Sequence, residues 1–327
     1  MVGRCAVANL RFCQFVRNLI PATVAERTFY DVFLSATLRL MKLIPPLTLC
    51  LMGLLTSCSS TQICTRPITT SQPEALALVK ASQRAHGGAA FDKITDLSVR
   101  YEGKWAAIGP RFQPVLVDSK FRGSSEERII LSPRIVAQSH TGPGGAKSVL
   151  RESGRIAISY NGVVSKDEAA NQAAALVADA YALFLLGPFY FQQSGNHFVM
   201  NGESTVDEVL CDEVLAVLRP GLGMAEEDRV ILSIERTSKL LRRVRLTLNG
   251  LDSTRGAEVD VTFRDFKKID GVLWPTDFDE RLRSPFKLHA HHWNLRGLDS
   301  NRGMIARDLK LAGWTDKAVQ PAAAITR

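Results

Sequence analysis

A period of two dominates this chain. Leu97, Val99 and Tyr101 alternate with Ser98, Arg100 and Glu102. The rhythm returns at 155–160 (RIAISY), at Val230, Leu232 and Ile234, at Val244, Leu246 and Leu248, at Val259, Val261 and Phe263, and at Phe286, Leu288 and Ala290. Side chains on a strand point alternately to two faces, so each run predicts a strand with one covered face. Turn pairs separate them, among them Asn161-Gly162, Asn249-Gly250 and Asp270-Gly271. Connections this short force antiparallel pairing, because a parallel pair needs a crossover of a dozen or more residues. Roughly ten or eleven strands are predicted, with Val115 and Val117 continuing one of them after the turn at 109–110.

Two segments break this rhythm. Residues 74–86 carry helical spacing and stop at Gly87-Gly88. Residues 166–186 (KDEAANQAAALVADAYALFLL) are rich in Ala and Leu, open on acids and stop at Gly187-Pro188. From Leu176 to Leu186 this helix is apolar over most of its circumference apart from Asp179, and Phe189-Tyr190-Phe191 follow. The predicted fold class is mainly β with helices (α+β): one large curved antiparallel sheet whose hollow the helices fill.

The N-terminus reads as an address. Arg39 and Lys42 precede an uncharged run from Leu43 to Leu55, too short to span a bilayer core as a helix and suited to a secretory apolar region. It ends in Leu55-Thr56-Ser57-Cys58. This resembles a bacterial lipoprotein signal, which is cut before a cysteine that is then lipidated. The expected organisation is an upstream extension at 1–40 outside the natural product, a signal peptide at 41–57, a flexible tether at 58–73 after lipidated Cys58, a folded domain at 74–300 and a C-terminal tail at 301–327. Ser59 after the cysteine, by the same resemblance, points to the outer membrane with the domain facing the periplasm.

Charge and cysteine content narrow the classes. The net charge of +8 divides into +4 on residues 1–57 and +4 on the rest, too mild for a nucleic-acid partner. Six cysteines in 327 residues are too few for a disulfide scaffold. Cys64 sits on the tether, so a bond between it and Cys211 is not expected, and Cys211 reads as a small buried residue.

A leading helix ending in Gly-Gly, a β-meander, a central Ala/Leu-rich helix before a proline, and strands of the form DRVILSIERTSKLLRRVRLTL and VTFRDFKKIDGVLWPTDFDERL together resemble the outer-membrane lipoprotein carrier and receptor (LolA/LolB-like) superfamily over about residues 74–298. The resemblance implies an incomplete β-barrel with a helical lid over an apolar cavity. It implies binding of the acyl chains of a lipid or lipoprotein, such as palmitate, for transport or insertion at the outer membrane. No cofactor and no covalent chemistry follow from it, so the chain is not expected to be an enzyme. A periplasmic or outer-membrane protein is a further expected partner.

Candidate cavity or lid residues are Leu176, Ala180, Leu183, Phe184, Phe189, Phe191, Trp105 and Trp274. Amphipathicity cannot say whether helix 166–186 is a movable lid or a fixed core plug. As a plug it favours a scaffold lipoprotein acting through protein contacts. The weaker metal candidates are His289 and His291 in KLHAHHW, two apart and so on one face of a strand, with Asp277 or Asp279 as a further ligand on the neighbouring strand; they would suit a metal-dependent hydrolase. The glycine-rich run at 140–148 lacks the phosphate-loop spacing and reads as a surface hairpin. Arg243 and Arg245 form a charged outer stripe.

Overall fold

The structure is a computed structural model that describes residues 63, 66–192, 195–284 and 287–325. The expected extension, signal peptide and lipidated Cys58 lie outside the described residues, as do Cys64, Phe286 and residues 59–62 and 65 of the tether.

Thirteen strands form one antiparallel sheet in the order β6-β5-β4-β3-β2-β1-β15-β14-β11-β10-β9-β8-β7. The first half comprises β1 (Asp96–Trp105), β2 (Ser124–Leu131), β3 (Arg134–Gly142), β4 (Gly145–Glu152), β5 (Arg155–Tyr160) and β6 (Val163–Val164). The second comprises β7 (His197–Val206), β8 (Val209–Leu218), β9 (Asp228–Glu235), β10 (Leu241–Thr247), β11 (Glu258–Arg264), β14 (Asp277–Ser284) and β15 (Leu288–Ser300), and a separate two-stranded hairpin of β12 (Lys267–Ile269) and β13 (Val272–Trp274) stands between β11 and β14. The two halves meet where β1 pairs with β15, Leu97 opposite Ser300. The edges β6 and β7 do not pair with each other, so the curved sheet stays open as an incomplete barrel.

Alternation sorts each strand. Leu97, Val99 and Tyr101 join Ile129, Val136, Phe278, Trp293, Val261, Leu246, Leu232 and Val214 in one buried apolar cluster on the concave side. The outer face is charged, but it is paired: Arg245 Nε donates to Asp260 Oδ1 at 2.8 Å, Arg283 to Asp260 at 2.9 Å and Arg243 to Glu213 at 3.3 Å. The stripe expected to be solvated is a cross-strand ion-pair network.

Helix α1 (Pro73–Ala85) has proline in its first turn, and the one-turn helix α2 (Gly88–Phe91) follows it. Between β1 and β2 the chain departs from expectation. Val115 and Val117 belong to no strand: two one-turn helices stand there, α3 (Gly109–Phe112) and α4 (Pro114–Val117). Pro110 and Pro114 lie in their first turns, where proline presets the helical φ and its missing N–H costs nothing. This segment reaches across to the β10–β11 connection, where Ser253 Oγ donates to Gln113 Oε1 at 3.0 Å.

Helix α5 (Glu168–Leu186) occupies the hollow. Asp167 caps its start by accepting from Ala170 N at 3.1 Å, and the chain leaves it through a 3-10 segment, Gly187–Gln192. The region expected as a tail folds against the back of β2 and β3. A short hairpin of β16 (Leu309–Lys310) and β17 (Gly313–Trp314) leads into α6 (Asp316–Val319). There Arg128, fully buried, donates to Ala318 O and Gln320 O at 2.7 Å and lies 4.8 Å from the Trp314 ring.

Candidate functional site: the concave face and its two ends

Each residue of α5 from Ala173 to Leu186 is buried, Asp179 included. This helix is long and apolar enough to cross a membrane, yet its apolar stretch is buried within the protein, with its first turn exposed. Its single inner acid explains its seating. Asp179 accepts from Arg151 Nη2 of β4 at 2.8 Å and from Gly223 N at 2.8 Å, and Arg151 also donates to Gly223 O at 2.7 Å. Gly223 has φ +62°, and a Cβ there would stand 3.0 Å from the backbone of Leu176, so only glycine lets this loop meet the helix.

The predicted cavity residues come together. Leu176, Ala180, Leu183, Phe184, Phe189, Phe191 and Trp274 are all buried members of the main apolar cluster. Trp105 lies apart at the rim, half-buried and stacked on His291 at 4.0 Å. The structure thus places α5 as a plug in the hollow, and clefts among the described residues open beside its C-terminal end, beside Asp179 and beside Tyr181.

At the C-terminal end of α5 is an apolar cleft of about 360 Å³. Phe91, Ile94, Leu131, Leu186 and Phe189 form its apolar wall, and Asp92, Ser132, Arg134 and Gln192 also line it. Phe91 and Phe189 stack at 3.9 Å with their planes 3° apart, forming one wall. Four of the five apolar liners belong to the main core cluster and Leu131 packs on it, so the cleft continues the core outward. A second, more polar cleft of about 250 Å³ adjoins it, and Pro133 and Arg134 line both.

Around Tyr181, polar residues occupy inward positions. Glu127, Gln138 and His140 follow the same alternation as Ile129 and Val136, and all three are buried. The Arg122 guanidinium lies 5.7 Å from the Trp105 ring and 5.5 Å from the Tyr181 ring, and donates to Leu116 O at 3.0 Å. Burial pushes the Glu127 carboxyl up to about 7, against the pull of its hydrogen bond from Gln138. Burial does the same to Glu280, also to about 7, with Arg122 opposing. His291 is held well below the usual imidazole range, first by burial and then by Arg122, and its Nδ1 shares a 3.1 Å hydrogen bond with Tyr181 Oη. Trp293 Nε1, His140 Nδ1 and Glu127 Oε2 are buried without a hydrogen-bond partner. A cavity of about 40 Å³ reaches this cluster, enough for a few water-sized groups.

The histidine pair requires a correction. β14 and β15 slip register between Glu280 and Arg281, which leaves Ala290 as an extra, bulged residue. The bulge reverses the alternation, so His289 and His291 point to opposite faces. His289 Nε2 meets Asp279 at 3.0 Å on the outer face, beside His292 on Asp277 at 2.7 Å, while His291 points inward. Among the described residues no group of three His, Cys, Asp or Glu side chains could hold a metal. Cys211 is buried, and burial lifts its thiol to about 11, which keeps it from acting as a thiolate. The glycine-rich run is the β3–β4 hairpin, with Lys147 bonded to Asp118 at 2.6 Å.

No family model matches the chain, and no curated protein matches it in sequence. Solved structures do. It is similar to a LolA superfamily protein from Nitrosomonas europaea at 8% identity, covering 72% of this chain and 97% of that one with a TM-score of 0.46. It is similar to a DUF1329 family protein from Desulfovibrio piger at 13% identity, with the same coverages and a TM-score of 0.44. An outer membrane lipoprotein-sorting protein domain from Vibrio parahaemolyticus matches at 10% identity, again over 72% and 97%, with a TM-score of 0.37.

Sequence reasoning named Phe189 and Trp105 at these clefts but missed Phe91, Arg134, Arg122, Glu127, Gln138 and His140. One clue was present. A two-residue turn at Ser132-Pro133 sets Leu131 opposite Arg134, so an apolar and a cationic side chain share one inward-facing position at the sheet's end. Polar residues in the inward phase of β2 and β3 were a second clue.

Proposed function

We propose that this chain is a lipid-anchored envelope protein that binds the acyl chain of a lipid or lipoprotein, without covalent chemistry. The supporting observation is the apolar cleft at the C-terminal end of α5, continuous with the core and large enough to lie within the range of small-ligand pockets. About ten methylenes buried there would contribute roughly 8 kcal/mol gross, before ordering and desolvation costs. A longer chain would enter by displacing the 3-10 segment and the end of α5. Anchoring through Cys58 and residence at the outer membrane rest on the N-terminal sequence pattern.

The burial of α5 from Ala173 to Leu186 favours a second reading, a scaffold whose hollow is permanently filled and which acts through protein contacts. Lipid extraction and native mass spectrometry of the protein purified without detergent separate the two. A co-purified or added acyl lipid bound at one per chain supports binding. A ligand-free protein that takes up no added lipid and carries a stoichiometric protein partner supports the scaffold.

A further inference from the structure

The two clefts meet at Pro133 and Arg134. Arg134 opens β3 at the rim of the concave face, between the apolar cleft and the polar one. Its guanidinium lies 3.8 Å from the centre of the Tyr190 ring and donates from Nη2 to Tyr190 O at 3.2 Å. That stack holds the planar group in place and uses one of its five N–H donors.

The other arginines of the polar cleft are committed. Arg151 is bound by Asp179 and Gly223 O, and Arg219 is bound by Glu227 at 2.6 Å. Glu152, the remaining acid there, pairs outward with Arg155 at 3.2 Å. Among the described residues, no carboxylate lies within ion-pair distance of Arg134. A fixed, half-buried guanidinium with free donors suits two-pronged binding of a phosphate or carboxylate. Directly beside it, across the hairpin pair Leu131–Arg134, the apolar cleft begins.

From this juxtaposition we infer that the ligand is an anionic amphiphile, its acyl chain in the apolar cleft and its phosphate held by Arg134 on the polar side. The inference rests on the acyl-binding reading and specifies the class of lipid for that site.

The test compares three probes on the full chain by calorimetry, below micelle-forming concentrations: lauroyl lysophosphatidic acid, uncharged monolaurin, and glycerol phosphate. The phosphorylated lipid is expected to bind about tenfold more tightly than monolaurin or better, and glycerol phosphate alone only weakly. Arg134→Gln is expected to abolish that preference, the two lipids then binding alike, and Arg134→Lys to keep part of it. Equal binding of the two lipids by the wild-type chain overturns the head-group assignment and leaves acyl binding standing. A preference that persists in a folded Arg134→Gln variant also overturns it. Glycerol phosphate binding as tightly as the lysolipid would assign the site to free phosphate esters instead. No binding of either lipid overturns the acyl-binding reading, and this inference with it. Should Arg134→Gln not fold, the wild-type comparison of the two lipids decides alone.

Discussion

Charged side chains that fall on the inner phase of the strands define the chemistry of the hollow. Glu127 carries a proton up to about pH 7 because burial outweighs its hydrogen bonds, while in an unfolded chain it would lose that proton near 4.5. The folded state therefore binds more protons between those values, and the stability from this group is full below about 4.5 and lost as pH rises through about 7. Glu127→Gln imitates the protonated acid. Its melting temperature is expected to match the wild type near pH 4.5 and to exceed it increasingly towards pH 8; parallel curves would show that Glu127 is not protonated in the fold. Asp179 carries a different cost. Asp179→Ala leaves Arg151 buried and unpaired and is expected to cost about 3–5 kcal/mol in urea unfolding, whereas a loss under ~1 kcal/mol would mean that water enters the site. Asp179 stood out in the sequence as the one acid in an apolar helix. Its partner did not, because β4 lies 28 residues away and nothing local marks Arg151 among the arginines.

Periodicity set the bounds of the long elements well. The helices expected at 74–86 and 166–186 are Pro73–Ala85 and Glu168–Leu186, since their Gly-Gly and Gly-Pro stops and Asp167 cap are local. Two elements were misread for local reasons as well. Val115 and Val117 have strand spacing, but Pro110 and Pro114 turn the segment into single helical turns. The bulge at Ala290 moves His291 inward, and no residue type in KLHAHHW announces it. At this scale α5 is the element to perturb. Leu183→Ala, at a fully buried position, is expected to cost about 2–5 kcal/mol. Asp167→Ala, which removes the cap, is expected to cost about 1 kcal/mol. Chemical denaturation measures both, and near-zero loss at Leu183 would show α5 to be a loosely seated lid rather than a packed plug.

The curved antiparallel sheet follows from alternation plus short turns, and so was legible as a whole. The occupancy of its hollow was not, because an apolar helix has the same sequence whether it plugs a cavity or covers one. The structure fills the hollow with α5 and opens a cleft at that helix's C-terminal end, where the 3-10 segment and the β2–β3 turn frame it. Photocrosslinking of the full chain with a diazirine-bearing fatty acyl probe, followed by peptide mapping, tests that location directly. Labels are expected on Phe91, Leu131, Leu186 and Phe189, reduced by excess unlabelled lysolipid; labelling that is absent, or confined to the outer face and not competed, would contradict it.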